Sequence, residues 1–369
     1  MLRSLNAVRS GNSWLIYGAD EPLGRLCAVE AVRRGMRPVI AGSDARLTGE
    51  IGDMLSLETR VFGLSAMREE RIDCYLRDVD LVLNCQYSTT SGKLLFTCPR
   101  TKTHYIDTSG EIGTFEAIFY RFHDWEREGV IALPGVGFNV VASDCLAGLL
   151  KRELPDATRL CIAFGSTKGK VHPCTLKSVS QSISEMACIR EGGPTESIPM
   201  MSKQRIIPFR TGSSLAVAIA SGVVSSSFYS TGITNVEAYL AVTKKQVRQA
   251  KLRLLGRSWP LKMPLRRRSE GRMAGTSRTC SDIDENKASR TDEIQLYGET
   301  SNPDGGKVAM TISIASASAF SVEASLRTVE RLLRGDINPG PQTPSLAFGP
   351  DFVLGFEGVV CEKVVPAGP

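Results

Sequence analysis

The chain has 369 residues, of which 42 % are hydrophobic and 23 % charged, an ordinary globular composition with room for one large or two ordinary domains of roughly 100–200 residues. Its ten cysteines form no CxxC pair and no Cys/His cluster, which argues against a zinc site and a disulfide framework and for reduced thiols. The net charge of +6 is local: between Lys244 and Arg278 twelve Lys/Arg stand against the single acid Glu270, so by difference the rest of the chain is net acidic, and with no recognition motif beside it this run predicts no nucleic-acid partner.

The N-terminal MLRSLNAVRSGNS is too short and polar to read as a secretory signal. No run of about 18 apolar residues predicts a membrane-spanning helix, and a cytoplasmic protein is expected. The first element is a short strand at 14–18 that stops at Gly18. A second glycine follows at Gly24, and an amphipathic helix (Leu23, Leu26, Cys27, Ala31, Val32) runs to Gly35. Strand, tight turn and helix in this order open a dinucleotide-binding βαβ unit. Gly18 allows the turn and Gly24 close helix packing. Glu21 stands where such loops carry a further glycine beside the pyrophosphate, and it adds bulk and negative charge there.

Further strands are predicted at 37–42, 59–63, 79–85, 104–108 and 129–134, with helical patterns between most of them. This alternation predicts a Rossmann-type, doubly wound parallel sheet over residues 1–140. Ligands sit at the carboxyl ends of such strands. That rule selects one rim: Gly18, Ala19, Asp20, Leu23 and Gly24 in the first loop, Ser43 and Asp44 in the second, Asn84, Cys85 and Gln86 in the third, Thr108 and Gly110 in the fourth. Asp44 is positioned either as a ribose ligand or as a helix cap. Asn84 either presents its amide to a nicotinamide ribose or satisfies a turn. By alternation Tyr105 and Asp107 share a face, close to Glu111, and are candidates to donate or position a proton; a structural hydrogen-bond network is the alternative. Tyr229 is a third catalytic candidate, lining a substrate cleft.

From about residue 141 the pattern changes. A helix is predicted over 143–154, with Ser143 and Asp144 as N-cap types. A strand at 158–165 follows, then a helical stretch at 175–190, which the segment IREGGPTESIP breaks. Strands at 235–243, 293–299 and 307–315 and a helix at 321–334 complete a second, α+β domain over 141–369 with a mainly antiparallel sheet. Residues 244–292 are expected to form a basic, flexible insertion, and residues 339–369 to pack back on the first domain. The basic part, 244–278, could contact an anionic membrane surface or an acidic acyl-carrier protein.

Six segments carry a family resemblance. GADEPLG resembles the GAxGxxG loop of the saccharopine dehydrogenase-like oxidoreductases. THYIDTSGE at 103–111 is similar to their THYxDxTGE, and LPGVGFNVVASDCLA at 133–147 to their GxGFDxxPxDCLA. GSTKGKVHPCTLKSVSQSI at 165–183 occupies the place of a small-residue loop and helix entry. YSTGITNVEAYLA at 229–241 and PGPQTPSLAFGPDFVL at 339–354 are similar to YSTGIPNVEVYLA and PGFQTPxxAFGxDFVL. The nearest branch contains trans-acting enoyl reductases; no arginine arrangement for a tricarboxylate substrate points to the lysine-forming branch.

The resemblance implies a nicotinamide-dependent oxidoreductase using NADP or NAD. Its substrate would be a small-molecule or carrier-bound acyl, lipid or polyketide-type compound with an activated C=C or C=N bond. The family usually carries an arginine after the second strand, suited to a 2′-phosphate. Here Ser43 and Asp44 stand there, Arg46 lies three residues on, and the local residues lean toward NAD. The alternative expectation is a lapsed Rossmann-fold protein acting as a lipid-surface or protein-binding module.

Overall fold

The computed structural model describes residues 13–86, 92–166, 186–243, 247 and 293–366. Apart from Val247, the predicted basic insertion lies outside them, as does all of 165–183 beyond Ser166.

The first layer is a seven-stranded parallel sheet. β1 (Trp14–Tyr17), β2 (Val39–Gly42), β3 (Thr59–Val61), β4 (Leu81–Asn84), β5 (His104–Asp107), β6 (Ile131–Leu133) and β15 (Gly340–Pro341) are arranged as β15-β6-β5-β4-β1-β2-β3. Between β1 and β4 the winding reverses, and the crevice outside that reversal is where doubly wound sheets bind ligands. The central strands are short apolar runs buried along their whole length, as a sheet covered on both faces requires.

Alternation then sorts their side chains. Trp14, Ile16, Ile40, Leu83 and Ile106 face Cys27, Ala28 and Ala31 of α1 (Pro22–Arg33). Leu15, Tyr17, Val82 and Tyr105 face the other layer: Ile72 and Leu76 of α3 (Glu69–Leu76), Leu94 and Cys98 of α4 (Gly92–Thr101), Ile118 of α5 (Ile112–Tyr120) and Trp125 of α6 (Phe122–Arg127). The α1 face is completed from far along the chain. Val322, Leu326, Val329 and Leu332 of α9 (Ala317–Leu333) join the same apolar cluster. Arg34, just past α1, pairs with Glu30, Glu323 and Glu330. Gly340–Pro341 then adds the strand beside β6.

The second sheet is mixed. Its main path is β10-β11-β12-β7-β13-β14-β16, built from β7 (Arg159–Ser166), β10 (Gln204–Phe209), β11 (Gly212–Ala218), β12 (Asn235–Ala241), β13 (Ile294–Ser301), β14 (Lys307–Ile314) and β16 (Val359–Val364). The β7–β12 pair is parallel and the other pairs on this path are antiparallel. One face packs on α7 (Phe138–Glu153) and α8 (Val223–Thr231).

Three sequence expectations are corrected. Residues 186–190 form a strand, β8 (Met186–Arg190), not the end of a helix. β8 turns through Gly192 (φ +63°) and Gly193 (φ +116°) into β9 (Thr195–Pro199). The helix predicted from 143 starts at Phe138, so Ser143 and Asp144 lie inside it and cap nothing of their own helix. The helix predicted from 321 starts at Ala317, where Ser316 caps it by accepting from the Ala319 amide at 3.3 Å.

Candidate functional site

The four predicted loops meet at one rim. The amides of Gly18 and Ala19 donate to the Ala41 carbonyl at 2.8 and 2.9 Å, tying the first loop to the end of β2. Cys85 donates to the Tyr17 carbonyl at 2.8 Å, and Thr108 to that of Asn84 at 3.1 Å. Gly18 has φ +85°, a region that glycine enters without penalty. A Cβ there would sit 2.8 Å from the Gln86 amide nitrogen. A Cβ on Gly24 would lie 2.1 Å from the Gly18 carbonyl oxygen, so α1 rests directly on the turn.

Glu21 is the N-cap of α1 with φ −90° and ψ 153°, ordinary extended backbone that needs no glycine. Pro22 removes one amide at the first helical position, and no side chain caps the helix. The first-turn amides of Leu23 and Gly24 lack intrahelical partners by geometry, and together with the helix dipole they favour an anion. The half-buried Glu21 brings its own negative charge to that end.

Several rim side chains are engaged within the fold, Asp44 and Asn84 in the cap and turn roles that the sequence also allowed. Asp44 caps α2 (Ala45–Leu55), its carboxylate accepting from the Leu47 amide at 2.9 Å. Cys85 is buried in the α1-side core beside Cys27, and Cys27 together with burial pushes its thiol well up, so its side chain does not reach the rim surface. The Asn84 amide is consumed locally: Nδ2 donates to the Tyr105 hydroxyl at 3.3 Å, and Oδ1 accepts from the Gln86 amide at 3.0 Å. Ala19 is fully buried.

Tyr105 and Asp107 share a face, but inside the sheet. The Tyr105 hydroxyl donates to Asp107 Oδ2 at 2.7 Å, while Oδ1 accepts from the amides of Ser109 and Gly135 at 2.9 and 3.0 Å. Tyr105 is 0 % and Asp107 1 % exposed, which removes both from direct contact with a substrate. Burial pushes the Asp107 carboxyl up to about 6 against the lowering effect of its hydrogen bonds. Burial, followed by the nearby Asp107, drives the Tyr105 phenol well above its usual range. The pair holds the loops after β5 and β6 instead of facing a cleft.

Tyr229 stands at the junction of the two sheets. Its hydroxyl donates to Glu116 Oε2 at 2.9 Å and its ring stacks on Phe119, with centroids 3.7 Å apart and planes 6° from parallel. Ser225 donates to Glu116 Oε1 at 2.5 Å, and Arg190 of β8 pairs with the same carboxylate. Burial and the Glu116 bond push the tyrosine up to about 12. This is a fastening between α5, α8 and β8, and it gives the Tyr229 hydroxyl a structural partner in Glu116.

Sequence reasoning missed what closes the rim from the other side. The Gly222 amide donates to the Gly110 carbonyl at 2.6 Å, and a Cβ on Gly222 would lie 2.7 Å from that oxygen. Next to this contact in the chain, Ser109 is buried beside Asp107, and Ser221 Oγ is buried with no hydrogen-bond partner among the described residues. The adjacent Glu111 is half-buried, its carboxyl raised by burial alone. Asp144, buried in α7, accepts from the Ser230 hydroxyl at 2.8 Å and the Ser345 amide at 2.7 Å. It therefore takes up a first-turn amide of a different helix, α10 (Pro344–Phe348), whose own N-cap is Thr343. None of these pairings has a local sequence signal, because each joins residues remote in the chain.

No protein-family model and no curated protein sequence matches the chain. Solved structures do match its fold. Apo saccharopine dehydrogenase (L-Glu forming) from Saccharomyces cerevisiae aligns over 96 % of this chain and 100 % of its own, with TM-score 0.63 and 12 % identity. Homospermidine synthase from Legionella pneumophila, in complex with NAD, aligns over 96 % of this chain and 91 % of its own, with TM-score 0.63 and 11 % identity. The chain thus has the two-sheet architecture of these proteins, a Rossmann-like parallel sheet joined to a second, mixed sheet. No described helix is long and apolar enough to cross a membrane.

Proposed function

We propose that the chain is a nicotinamide-dependent oxidoreductase that reduces an activated C=C or C=N bond of an acyl, lipid or polyketide-type substrate. The observation that carries the dinucleotide half is the turn of positive-φ Gly18 under an uncapped helix N-terminus, with Gly24 packed on its carbonyl. A pyrophosphate fits there against the Leu23 and Gly24 amides. The nicotinamide end would lie near the Gly110–Gly222 contact, where the buried hydroxyl of Ser221 has unmet hydrogen-bonding capacity. Agreement in fold with an NAD-bound synthase supports the same reading. The bond type and substrate class rest on the sequence resemblance.

When bound, the cofactor supplies hydride chemistry. The protein's part is to orient and to handle a proton. Glu111 is the group suited to proton handling. Its carboxyl is half-buried beside Gly110, and burial raises its pKa toward the range useful to a general acid. Tyr105, Asp107 and Asn84 serve as positioning residues for the loops around it. On charge alone we also propose that segment 244–278 meets an anionic membrane or an acidic carrier protein.

A second reading, a lapsed binding module, draws on Glu21, whose carboxylate competes with a pyrophosphate at the α1 N-terminus. Titrating the protein and its Glu21→Gly variant with NADH separates the two. The enzyme reading expects the native chain to bind with roughly micromolar Kd, near −8 kcal/mol, and expects Glu111→Gln to keep that binding while losing turnover of an enoyl thioester or imine. Binding by the variant alone would leave the lapsed module. Binding by neither protein at millimolar concentration would end the enzyme reading and leave a module for lipid or protein partners.

A further inference from the structure

Asp20 reaches across to the end of β2, where its Oδ2 accepts from the Ser43 amide at 2.9 Å, the Ser43 hydroxyl at 3.1 Å and the Asp44 amide at 2.9 Å. Three donors converging on one oxygen form an anion nest. In this fold the nest lies where an adenosine ribose passes the second strand. The seat is built for the carboxylate. A Cβ on Gly42 would fall 2.6 Å from Asp20 Oδ1 and 2.5 Å from Thr48 Oγ1, so only glycine at 42 leaves the space. Oδ1 and the Thr48 hydroxyl are both buried with no hydrogen-bond partner among the described residues, so that side of the nest has spare hydrogen-bonding capacity and no counter-charge.

The cation that follows β2 already has a carboxylate partner. Arg46 is 71 % exposed in its side chain and pairs with Glu50 at 2.7 Å. Asp44 offers a second carboxylate at the same loop; one of its oxygens caps α2 and the other has no protein partner among the described residues. That oxygen can accept a hydrogen bond from a ribose hydroxyl and would repel a phosphate.

We infer that Asp20 fills the 2′-phosphate seat from within, so that this chain selects NAD(H) over NADP(H). The inference rests on the dinucleotide reading above and goes beyond it in naming the cofactor and the residue that sets it. A 2′-phosphate would have to displace a carboxylate from three donors and then sit beside two negative charges. Losing hydrogen bonds to a charged group and adding like-charge repulsion both weaken the phosphorylated cofactor, so a preference of at least about tenfold, about 1.4 kcal/mol, is expected.

The test is calorimetric titration of the full chain and its Asp20→Ser and Asp20→Asn variants with NADH and NADPH, with thermal melting to show that each variant is folded. Asn keeps the side-chain size and removes the charge, so it serves if Ser loosens the loop. The expected result is NADH favoured by about tenfold or more in the native chain, with the ratio brought to parity or reversed in a folded variant. A native chain that binds NADPH as tightly as NADH overturns the inference. So does an unchanged ratio in a folded variant. If no protein binds either dinucleotide at millimolar concentration, the dinucleotide reading itself has failed and this inference falls with it.

Discussion

At the scale of a single residue, Asp107 shows how a buried carboxyl trades stability for position. Its folded pKa is raised from 3.8 to about 6, so between these values the folded chain binds more protons than the unfolded one. Stability from this group is therefore fully present below about pH 4 and is lost as pH rises through about 6, a change of roughly 3 kcal/mol. Asp107→Asn keeps an oxygen for the Ser109 and Gly135 amides and removes the titration. Urea unfolding of both proteins at about pH 4 and about pH 7 should show the variant gaining roughly 2–3 kcal/mol on the native chain at the higher pH. Parallel behaviour across that range would mean that the carboxyl is not strained by burial. The sequence placed Tyr105 and Asp107 on one face because alternation gives facing. It could not show depth, and depth is what takes them away from the substrate. Gly18 and Gly24 were legible because each meets a backbone demand that only glycine satisfies.

At the scale of elements, the fastening around Glu116 joins the two sheets. α5 supplies Glu116 and Phe119, α8 supplies Ser225 and Tyr229, and β8 supplies Arg190, whose side chain is 5 % exposed. Tyr229→Phe keeps the stack on Phe119 and loses one hydrogen bond, so it should cost about 1 kcal/mol and leave turnover nearly intact. Glu116→Ala leaves a buried guanidinium without its charge partner and should cost about 3–5 kcal/mol. Thermal melts and initial rates on both variants check this. A Tyr229→Phe protein with a native melt and abolished turnover would support the catalytic reading of Tyr229. The sequence carried the parallel strands well, since apolar runs separated by helix-length segments have few other solutions. It did not carry β8 to β11. β9 is mostly exposed, so hydrophobic alternation is weak there, and glycines at 192, 193 and 212 mark the turns without marking the strands.

At the scale of the whole molecule, the chain closes on itself. The amphipathic pattern near 321–334 told that a helix has one apolar face, but a face does not say which sheet it covers. α9 covers the first sheet beside α1, with Val322, Leu326, Val329 and Leu332 in its core, and Gly340–Pro341 extends that sheet at β6. Burying an aliphatic side chain of this kind contributes about 1.5–3 kcal/mol, so four of them are worth on the order of 6–12 kcal/mol, similar to the entire net stability of a domain. The ion pairs of Arg34 with Glu323 and Glu330 would go with them. A fragment ending at Glu153 keeps β1 to β6 yet exposes that face. It should therefore unfold without a cooperative transition, and cleavage by a protease should be far faster than in the full chain. Adding the segment from Ser316 to Pro341 as a separate peptide should restore part of the protection by covering the same face. A fragment that melts cooperatively within a few degrees of the full chain would show that the Rossmann-like sheet folds alone and that α9 only decorates it.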